Sequence, residues 1–255
     1  MIRLSELKKA AVKEGVPQSV LEKDLALSVA LKEISASKLT KHIVFKGGTA
    51  IRKVYFKEAR FSEDLDFTAS NTNKSECIVM LRKAFDEMNI EGIEFEKIRE
   101  EETSAGLKAS VKFIGPLGHP QRIRLDLSFR ENLVKEPALT RIFDSYDFGI
   151  VELPVMSLGE IFAEKIQTLG TRSAARDLYD VWFLSEQGIE IDRQVLDKKF
   201  GFYGERFDAN KAIENARHCQ VSWERDLQHL LRRLPNFDTS VRLVENQLKK
   251  IALGK

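Results

Sequence analysis

The sequence has little cysteine and no long hydrophobic run. Cys77 and Cys219 are its two cysteines, and neither belongs to a CxxC pair. This usage argues against a disulfide framework and against structural zinc, so we expect two free thiols in a reducing cytoplasm. No apolar stretch approaches the roughly 20 residues of a membrane span, and the first residues lack the apolar core of a signal peptide. We therefore expect a soluble, cytoplasmic protein with no membrane partner.

The sequence also has little excess charge. Its 41 basic and 39 acidic residues leave a net charge of +2, which neither demands nor excludes a nucleic-acid partner. A local basic face would matter more than this total. With 255 residues, 43% of them hydrophobic, the chain can form one large domain or two small ones with a sizeable core.

The chain opens with two helical stretches, Leu4 to Glu14 and a second from Pro17 to about Ile34. Asp24 interrupts the apolar stripe of the second helix, within a Glu22-Lys23-Asp24 triplet. Buried polar bracing is a better explanation for this acid than chemistry.

The most informative stretch runs from Phe45 to Phe67. A short apolar, β-branched run ends at Phe45, and Gly47-Gly48 then allows the backbone to turn tightly and approach a ligand. A helix beginning at Thr49 would direct its unpaired N–H groups at a triphosphate. This order predicts a phosphate-binding turn.

Two acidic residues, Asp64 and Asp66, alternate with Leu65 and Phe67. In a strand, this alternation puts both carboxylates on one face and both apolar side chains in the core. Carboxylates so placed can share divalent cations, and hard oxygen ligands favour Mg²⁺ or Mn²⁺ over zinc. Each motif alone is more often a loop turn or a solvated strand edge, but their succession is much more specific.

Together, Gly47-Gly48, fifteen intervening residues and the Asp-x-Asp segment 64–66 resemble the signature of the DNA polymerase β-type nucleotidyltransferase superfamily. Segments 46–50 and 60–67 closely resemble the AbiEii/AbiGii toxin family, which includes the MenT-type toxins. The long interval and the second glycine depart from the superfamily pattern but are usual for the AbiEii branch. The resemblance implies a set of nucleotide-binding residues in the turn: Lys46, Gly47, Gly48 and Thr49.

Transfer chemistry of this kind takes a third carboxylate from a neighbouring strand, and Asp126 is our candidate. Strand-like runs cover 93–99, 107–114 and 122–129, with an acidic loop at 100–102. In the last run Asp126 faces away from the alternating apolar residues, and the alternative is an exposed aspartate paired with Arg124. With Asp64 and Asp66, it could hold two metal ions.

Before these strand-like runs, the sequence predicts a helix whose apolar face is formed by Ile78, Leu81, Phe85 and Met88.

From Pro154 onward the pattern predicts a mainly helical region. Ser157 and Glu160 form a capping-box pattern, so residues 157–168 should be helical, ending near Gly170. The next helix, which stops at Gly188, has a predicted buried stripe of Leu178, Val181 and Trp182.

Asp177 and Asp180 lie at the N-terminal end of that next helix, off its stripe, where acidic residues commonly stabilise the helix dipole. With Lys165, Arg172 and Arg176, however, they resemble the second conserved block of the AbiEii family. The resemblance implies that Lys165 meets the triphosphate and that both arginines bind phosphate. The two aspartates would either orient these cations or help to deprotonate the acceptor hydroxyl.

Residues 198–204 interleave bases and aromatics. Further such residues lie on predicted helices that end in 249–250: Trp223, Arg225, His229, Arg232 and Arg233. Such patches can grip a nucleic acid, but more often they are a solvated face over a core.

We therefore expect an α/β (α+β) protein. Residues 1–150 would form a nucleotidyltransferase domain with a small mixed β-sheet flanked by helices. Residues 151–255 would form a mainly helical domain that completes the cleft.

The resemblance implies a metal-dependent nucleotidyltransferase with Mg²⁺ or Mn²⁺ as cofactor and a nucleoside triphosphate (NTP) as substrate. It would act as the toxin of a bacterial toxin–antitoxin or abortive-infection system, with the 3′ end of tRNA as acceptor. A cognate antitoxin is implied as a partner, although direct binding is not. The alternatives are a nucleotidyltransferase that modifies a protein hydroxyl and a degenerate nucleotide-binding partner protein.

Overall fold

The structure is a computed structural model that describes residues 2–86, 92–130 and 133–254. Contacts divide the chain into two units. Unit 1 comprises Met1–Leu133 and Pro137–Met156, and unit 2 comprises Val134–Glu136 and Ser157–Lys255. No helix among the described residues is both long and apolar enough to cross a membrane.

Unit 1 contains a mixed sheet with helices beside it, as expected from the sequence. Its helices are α1 (Leu4–Glu14), α2 (Gln18–Ala36), the short α3 (Gly47–Ala50) and α4 (Lys74–Asp86). Its strands are β1 (Ile43–Lys46), β2 (Asp64–Ala69), β3 (Glu94–Phe95), β4 (Arg99–Glu102), β5 (Gly106–Ile114), β6 (Pro120–Ser128), β7 (Ala138–Arg141) and β8 (Glu152–Val155).

The described residues of unit 1 form an eight-stranded sheet in the order β3-β5-β6-β2-β1-β8-β7, with β4 also paired to β5. The β2–β6 and β1–β8 pairs are parallel, and the other pairs are antiparallel. This topology sets β2 between β1 and β6. Residues from three distant segments therefore meet on β2.

Some strand boundaries differ from the prediction. The predicted acidic loop at 100–102 belongs to β4, because those residues pair with Leu107–Ala109 of β5. The run predicted over 93–99 contains the two-residue strand β3 and the first residue of β4. Strands β7 and β8 were not predicted, since neither shows a clear alternating pattern. Long-range pairing defines all these strands.

One face of the sheet is apolar and packs against helices. Leu65 and Phe67 of β2 are fully buried, as the alternation predicted. Helix α2 contacts both β6 and α4, and Arg82 of α4 forms an ion pair of 2.9 Å with Glu100 of β4. Leu81 and Phe85 of α4 are buried, whereas Met88 lies outside the described residues.

The acids in α2 brace unit 1, as proposed from the sequence. Asp24 Oδ1 lies 2.8 Å from Lys53 Nζ, and the Tyr146 hydroxyl donates to Asp24 Oδ2 at 2.7 Å. Glu22 accepts a hydrogen bond from the Leu117 backbone N–H at 2.6 Å. Burial lowers the pKa of Lys53 against the opposing effect of Asp24, and raises the pKa of Tyr146. These contacts fasten α2 to later segments of the chain.

Unit 2 is helical in the described residues: α5 (Leu158–Thr171), α6 (Ala175–Glu186), α7 (Arg193–Gly201), α8 (Ala209–His218), α9 (Gln220–Leu227) and α10 (Phe237–Ala252). Helix α5 packs against α6, α7 and α8, and α10 packs against α6 and α8. Gly188, just after α6, has φ +70°, as its predicted role as a helix stop requires.

The capping box predicted for α5 is wrong. Ser157 makes no capping hydrogen bond, and its buried hydroxyl finds no partner in the described structure. Glu160 instead accepts hydrogen bonds from the backbone N–H groups of Val134 and Lys135, at 2.8 and 3.0 Å. It also lies 2.7 Å from the buried Lys199 ammonium, which a pattern of two local residues cannot reveal.

The aromatic and basic residues near the C-terminus are divided between the core and the surface of unit 2. Lys199, Phe200 and Trp223 are buried. The Trp223 indole N–H donates to the Pro235 carbonyl oxygen at 3.1 Å. These three side chains are core residues and cannot stack on a base. Other members of the predicted patch are exposed, so nucleic-acid binding by this region stays a prediction: Lys198, Tyr203, Arg225 and Arg232.

Candidate active site

The Gly-Gly turn connects β1 directly to α3. The predicted helix begins at Gly47 rather than Thr49 and continues as a π-helical segment, Ile51–Tyr55. Gly47 has φ +76°, a conformation that favours glycine. A Cβ atom added there would overlap the Asp66 carboxylate. The backbone therefore lies against Asp66 in a way that only glycine permits.

The turn is also fastened to β2 by Thr49, whose hydroxyl donates a hydrogen bond to the Asp64 carbonyl oxygen. Lys46, Gly47, Gly48 and Thr49 are all buried. These predicted nucleotide-binding residues thus lie beside the predicted metal-binding strand.

Strand pairing brings the three candidate carboxylates onto one face of the sheet. Asp66 is in register with Asp126 on the parallel strand β6 and with Lys46 on the antiparallel strand β1. Asp64, two residues before Asp66, is in register with Arg124. Residues in register share a face and lie roughly 4.8 Å apart across the strands. Asp66 consequently sits between a lysine and a second aspartate.

The alternative for Asp126, an exposed ion pair with Arg124, finds no support. Within the described residues Arg124 makes no ion pair, although it shares a face with Asp126, two residues along β6, and lies opposite Asp64. Asp126 is exposed, as a group that contacts a substrate must be.

The chemistry of this donor set fits a hard divalent cation, because aspartate oxygens suit Mg²⁺ and Mn²⁺. In 2–86, 92–130 and 133–254, no three His, Cys, Asp or Glu side chains are grouped closely enough to hold an ion. The fit therefore rests on the backbone register and the donor type.

The second group of predicted residues lies in unit 2. Lys165 Nζ of α5 is 2.9 Å from Asp177 Oδ1 and 2.8 Å from Asp180 Oδ2, both on α6. Arg172, at the end of α5, contacts Asp177 Oδ2 through two nitrogens, at 2.9 and 3.2 Å. Arg176 precedes Asp177 on α6. The structure thus brings Lys165, Arg172, Asp177 and Asp180 together.

Asp177 and Asp180 are both buried, whereas the sequence pattern placed them off the buried stripe. Trp182, predicted within that stripe, is only half-buried. Burial tends to raise the pKa of Asp177, but the charges of Lys165 and Arg172 outweigh it and lower the pKa to about 2. Asp177 is therefore ionised at neutral pH.

Comparison with known proteins supports a particular family. The family model described as "Nucleotidyl transferase AbiEii toxin, Type IV TA system" matches residues 29–244. The chain belongs to the AbiEii family. It is accordingly a nucleotidyltransferase toxin, and membership of a toxin–antitoxin system implies an antitoxin partner.

The fold of this AbiEii protein matches a solved structure. MenT4, a nucleotidyltransferase toxin from Mycobacterium tuberculosis H37Rv, superposes with a TM-score of 0.79 at 20% sequence identity, covering 99% of this chain and 90% of that one. No curated protein sequence matches this chain.

Proposed function

We propose that this AbiEii protein transfers a nucleoside monophosphate from an NTP to an acceptor hydroxyl at the face that carries Asp64, Asp66 and Asp126. The single observation that carries the proposal is the register of Asp66 with Asp126, beside the turn at Gly47. In this arrangement the glycine turn can contact the triphosphate. The carboxylates of the two strands can hold metal ions beside the α-phosphate, where the acceptor attacks.

Asp64, Asp66 and Asp126 would hold Mg²⁺ or Mn²⁺, which lowers the pKa of an attacking hydroxyl and offsets charge on the leaving pyrophosphate. The backbone of Gly47 and Gly48 and the side chain of Lys46 would contact the phosphates, since the N–H groups at the start of a helix and a lysine attract anions. The acceptor oxygen forms a bond to the α-phosphorus, and the bond to the pyrophosphate oxygen breaks.

We assign Lys165 to the triphosphate as a compact positive charge, with Arg172 and Arg176 as further phosphate ligands. Asp177 and Asp180 are positioning residues in this proposal. Their contacts with Lys165, at 2.9 and 2.8 Å, hold the ammonium in one place before substrate binds. The low pKa of Asp177 favours this role over proton transfer to or from the acceptor.

The acceptor in this proposal is the 3′ end of tRNA. The sequence resemblance implies this acceptor, because some members of the AbiEii family modify that end. A reaction that consumes an NTP needs a compartment that supplies one, so we place it in the cytoplasm.

The test is to incubate the purified protein and Mg²⁺ with each α-labelled NTP, together with total RNA or total protein. We expect label in the tRNA band, and none with an Asp66→Asn variant of the same fold. Label in the protein fraction would replace RNA with a protein acceptor. A folded wild-type chain that labels neither fraction would contradict transferase function.

A further inference from the structure

Beside the candidate active site, the polar face of the sheet continues as a basic surface over β4, β5 and β6. We call it the basic strip. Its five residues project from the face opposite the buried Leu107, Val111, Ile123 and Leu125. They are Arg99 of β4, Lys108 and Lys112 of β5, and Arg122 and Arg124 of β6.

Strand register makes the basic strip continuous. Lys112 lies opposite Arg122, and both Arg99 and Arg124 lie opposite Ser110. The same face also carries an acid, because Glu101 of β4 lies opposite Lys108. Neighbouring strands are about 4.8 Å apart, and side chains two positions along a strand are about 6.6 Å apart. Five positive charges therefore recur at short intervals from the aspartates outward, with Glu101 and Glu96 beside two of them.

Internal pairing leaves most of this charge unneutralised. Within the described part of the chain, Arg99, Lys108 and Arg124 make no ion pair, and all three are exposed. Arg122 donates a hydrogen bond to the Ser110 hydroxyl at 3.1 Å, which uses one of its five N–H groups. Lys112 has an exposed contact of 3.6 Å with Glu96, a geometry that contributes little to stability. In the described structure, most of the five cations in the basic strip are therefore not used in strong internal ion pairs and can contact an anion.

The basic strip meets the candidate carboxylates at one end. Lys108 is in register with Asp126, and Arg124 is in register with Asp64. On the other side of β2 lie β1 and the glycine turn. The turn and the basic strip thus flank Asp66 from opposite sides. In phosphoryl transfer the attacking and leaving oxygens lie roughly in line. If the triphosphate binds at the glycine turn, the acceptor therefore approaches from the opposite side, where the basic strip lies.

A row of exposed cations at regular spacing suits an acceptor that carries regularly spaced negative charge. The sugar–phosphate backbone of a nucleic acid has this property at every sequence, whereas an ordinary protein hydroxyl has no such neighbours. We propose that the basic strip binds the backbone of a single-stranded RNA end and leads its terminal hydroxyl to Asp66 and Asp126. This inference rests on the proposed transferase function and adds the surface that selects the acceptor.

The test uses Lys112→Gln/Arg122→Gln, a double variant at the end of the basic strip away from the carboxylates. The control, Lys8→Gln/Lys9→Gln, removes two exposed charges from α1. Binding of fluorescent tRNA and of a short RNA oligomer is measured without NTP over a range of salt concentrations. KM values for tRNA and for NTP are measured separately.

We expect the strip variant to bind RNA about tenfold more weakly at low salt, since two phosphate contacts are lost. The slope of log K against log salt should fall by about 1.4, at about 0.7 for each single-strand contact. The KM for tRNA should rise in parallel, while the KM for NTP and the rate at saturating tRNA stay unchanged. The control should match wild type throughout.

Normal RNA binding and KM in the strip variant, with transfer to RNA in wild type, would overturn the basic strip and leave the proposed function intact. Strip-dependent RNA binding by a wild-type protein that transfers nothing would support the strip and contradict the transferase. If a protein fraction takes the label and the strip variant reduces that labelling, the surface binds a protein acceptor and the RNA proposal is wrong.

Discussion

Asp66 and Asp126 lie directly opposite each other on the parallel strands β2 and β6, although they are far apart in the chain. Lys46 flanks Asp66 on its other side through the antiparallel pairing of β1. Two carboxylates of like charge at neighbouring positions repel each other unless a cation lies nearby. Lys46, in register with Asp66, and Lys108, in register with Asp126, offset that repulsion.

The first prediction concerns these carboxylates. Asp66→Asn or Asp126→Asn should reduce kcat/KM for nucleotide transfer by several orders of magnitude, because metal activation and charge stabilisation each supply several kcal/mol. The fold should stay intact, because asparagine has nearly the same shape as aspartate. Asp147→Asn, an exposed change of the same chemistry, is the control. A folded Asp66→Asn protein with near-normal transfer would refute the assignment.

The second prediction concerns the glycine turn. Gly47→Ala should abolish transfer, because its Cβ would displace the Asp66 carboxylate. Gly118→Ala is a matched control, since Gly118 has a similar φ of +71° but no atom within 4 Å of an added Cβ. Each substitution should cost about 1–2 kcal/mol of stability for the left-handed backbone. Equal activity in the two variants, by transfer assay, would contradict close contact at Asp66.

The third prediction concerns Lys165. Lys165→Ala should lower kcat/KM roughly 10- to 100-fold if a charge-assisted hydrogen bond to the triphosphate is lost. It should also destabilise the protein by roughly 3 kcal/mol, because buried Asp177 and Asp180 lose a cation.

Lys165→Arg separates these two effects. It keeps the charge between the carboxylates and should restore most of the stability, measured by urea unfolding. The planar guanidinium of arginine is a poor substitute for the compact ammonium of lysine, so activity should recover only in part. A stable Lys165→Ala protein with kcat/KM within twofold of wild type would place Lys165 outside the site.

The fourth prediction concerns pH. The folded-state pKa of Asp177, about 2, lies below the ordinary value near 3.9. Its stabilising contribution of about 2 kcal/mol is thus complete above about pH 4 and disappears as the pH falls towards 2. Urea unfolding between pH 5 and 2 should show a shallower loss of stability for Asp177→Asn than for wild type. Parallel curves would mean that Asp177 does not hold its charge against Lys165 and Arg172.

The fifth prediction concerns helix starts. Ser157→Ala should change stability by less than about 0.5 kcal/mol, because Ser157 makes no capping hydrogen bond. Asp208→Ala should cost about 1 kcal/mol, since Asp208 accepts from the Asn210 and Lys211 backbone N–H groups at 2.9 and 3.2 Å. Thermal unfolding of both variants measures this difference. An equal loss of stability in Ser157→Ala would mean that Ser157 does cap the helix, as the sequence predicted.

The sequence by itself determined the local features of the candidate site. Glycine's freedom at Gly47 and the two-residue period around Asp64 and Asp66 are properties of neighbouring residues, so they are visible without a fold. The same period showed that Asp126 faces away from the core. The helix stop at Gly188 was predicted for the same reason, since a left-handed residue there is a local requirement.

Only the tertiary structure decided which distant residues meet. Strand register aligned Asp66 with Asp126 and built the basic strip, and no local pattern encodes which strands pair. In the packed structure Asp177 is buried in contact with Lys165, and Glu160 pairs with Lys199 instead of forming the predicted capping box. A buried charge needs a partner, and that partner can come from anywhere in the chain, so its position depends on the complete fold.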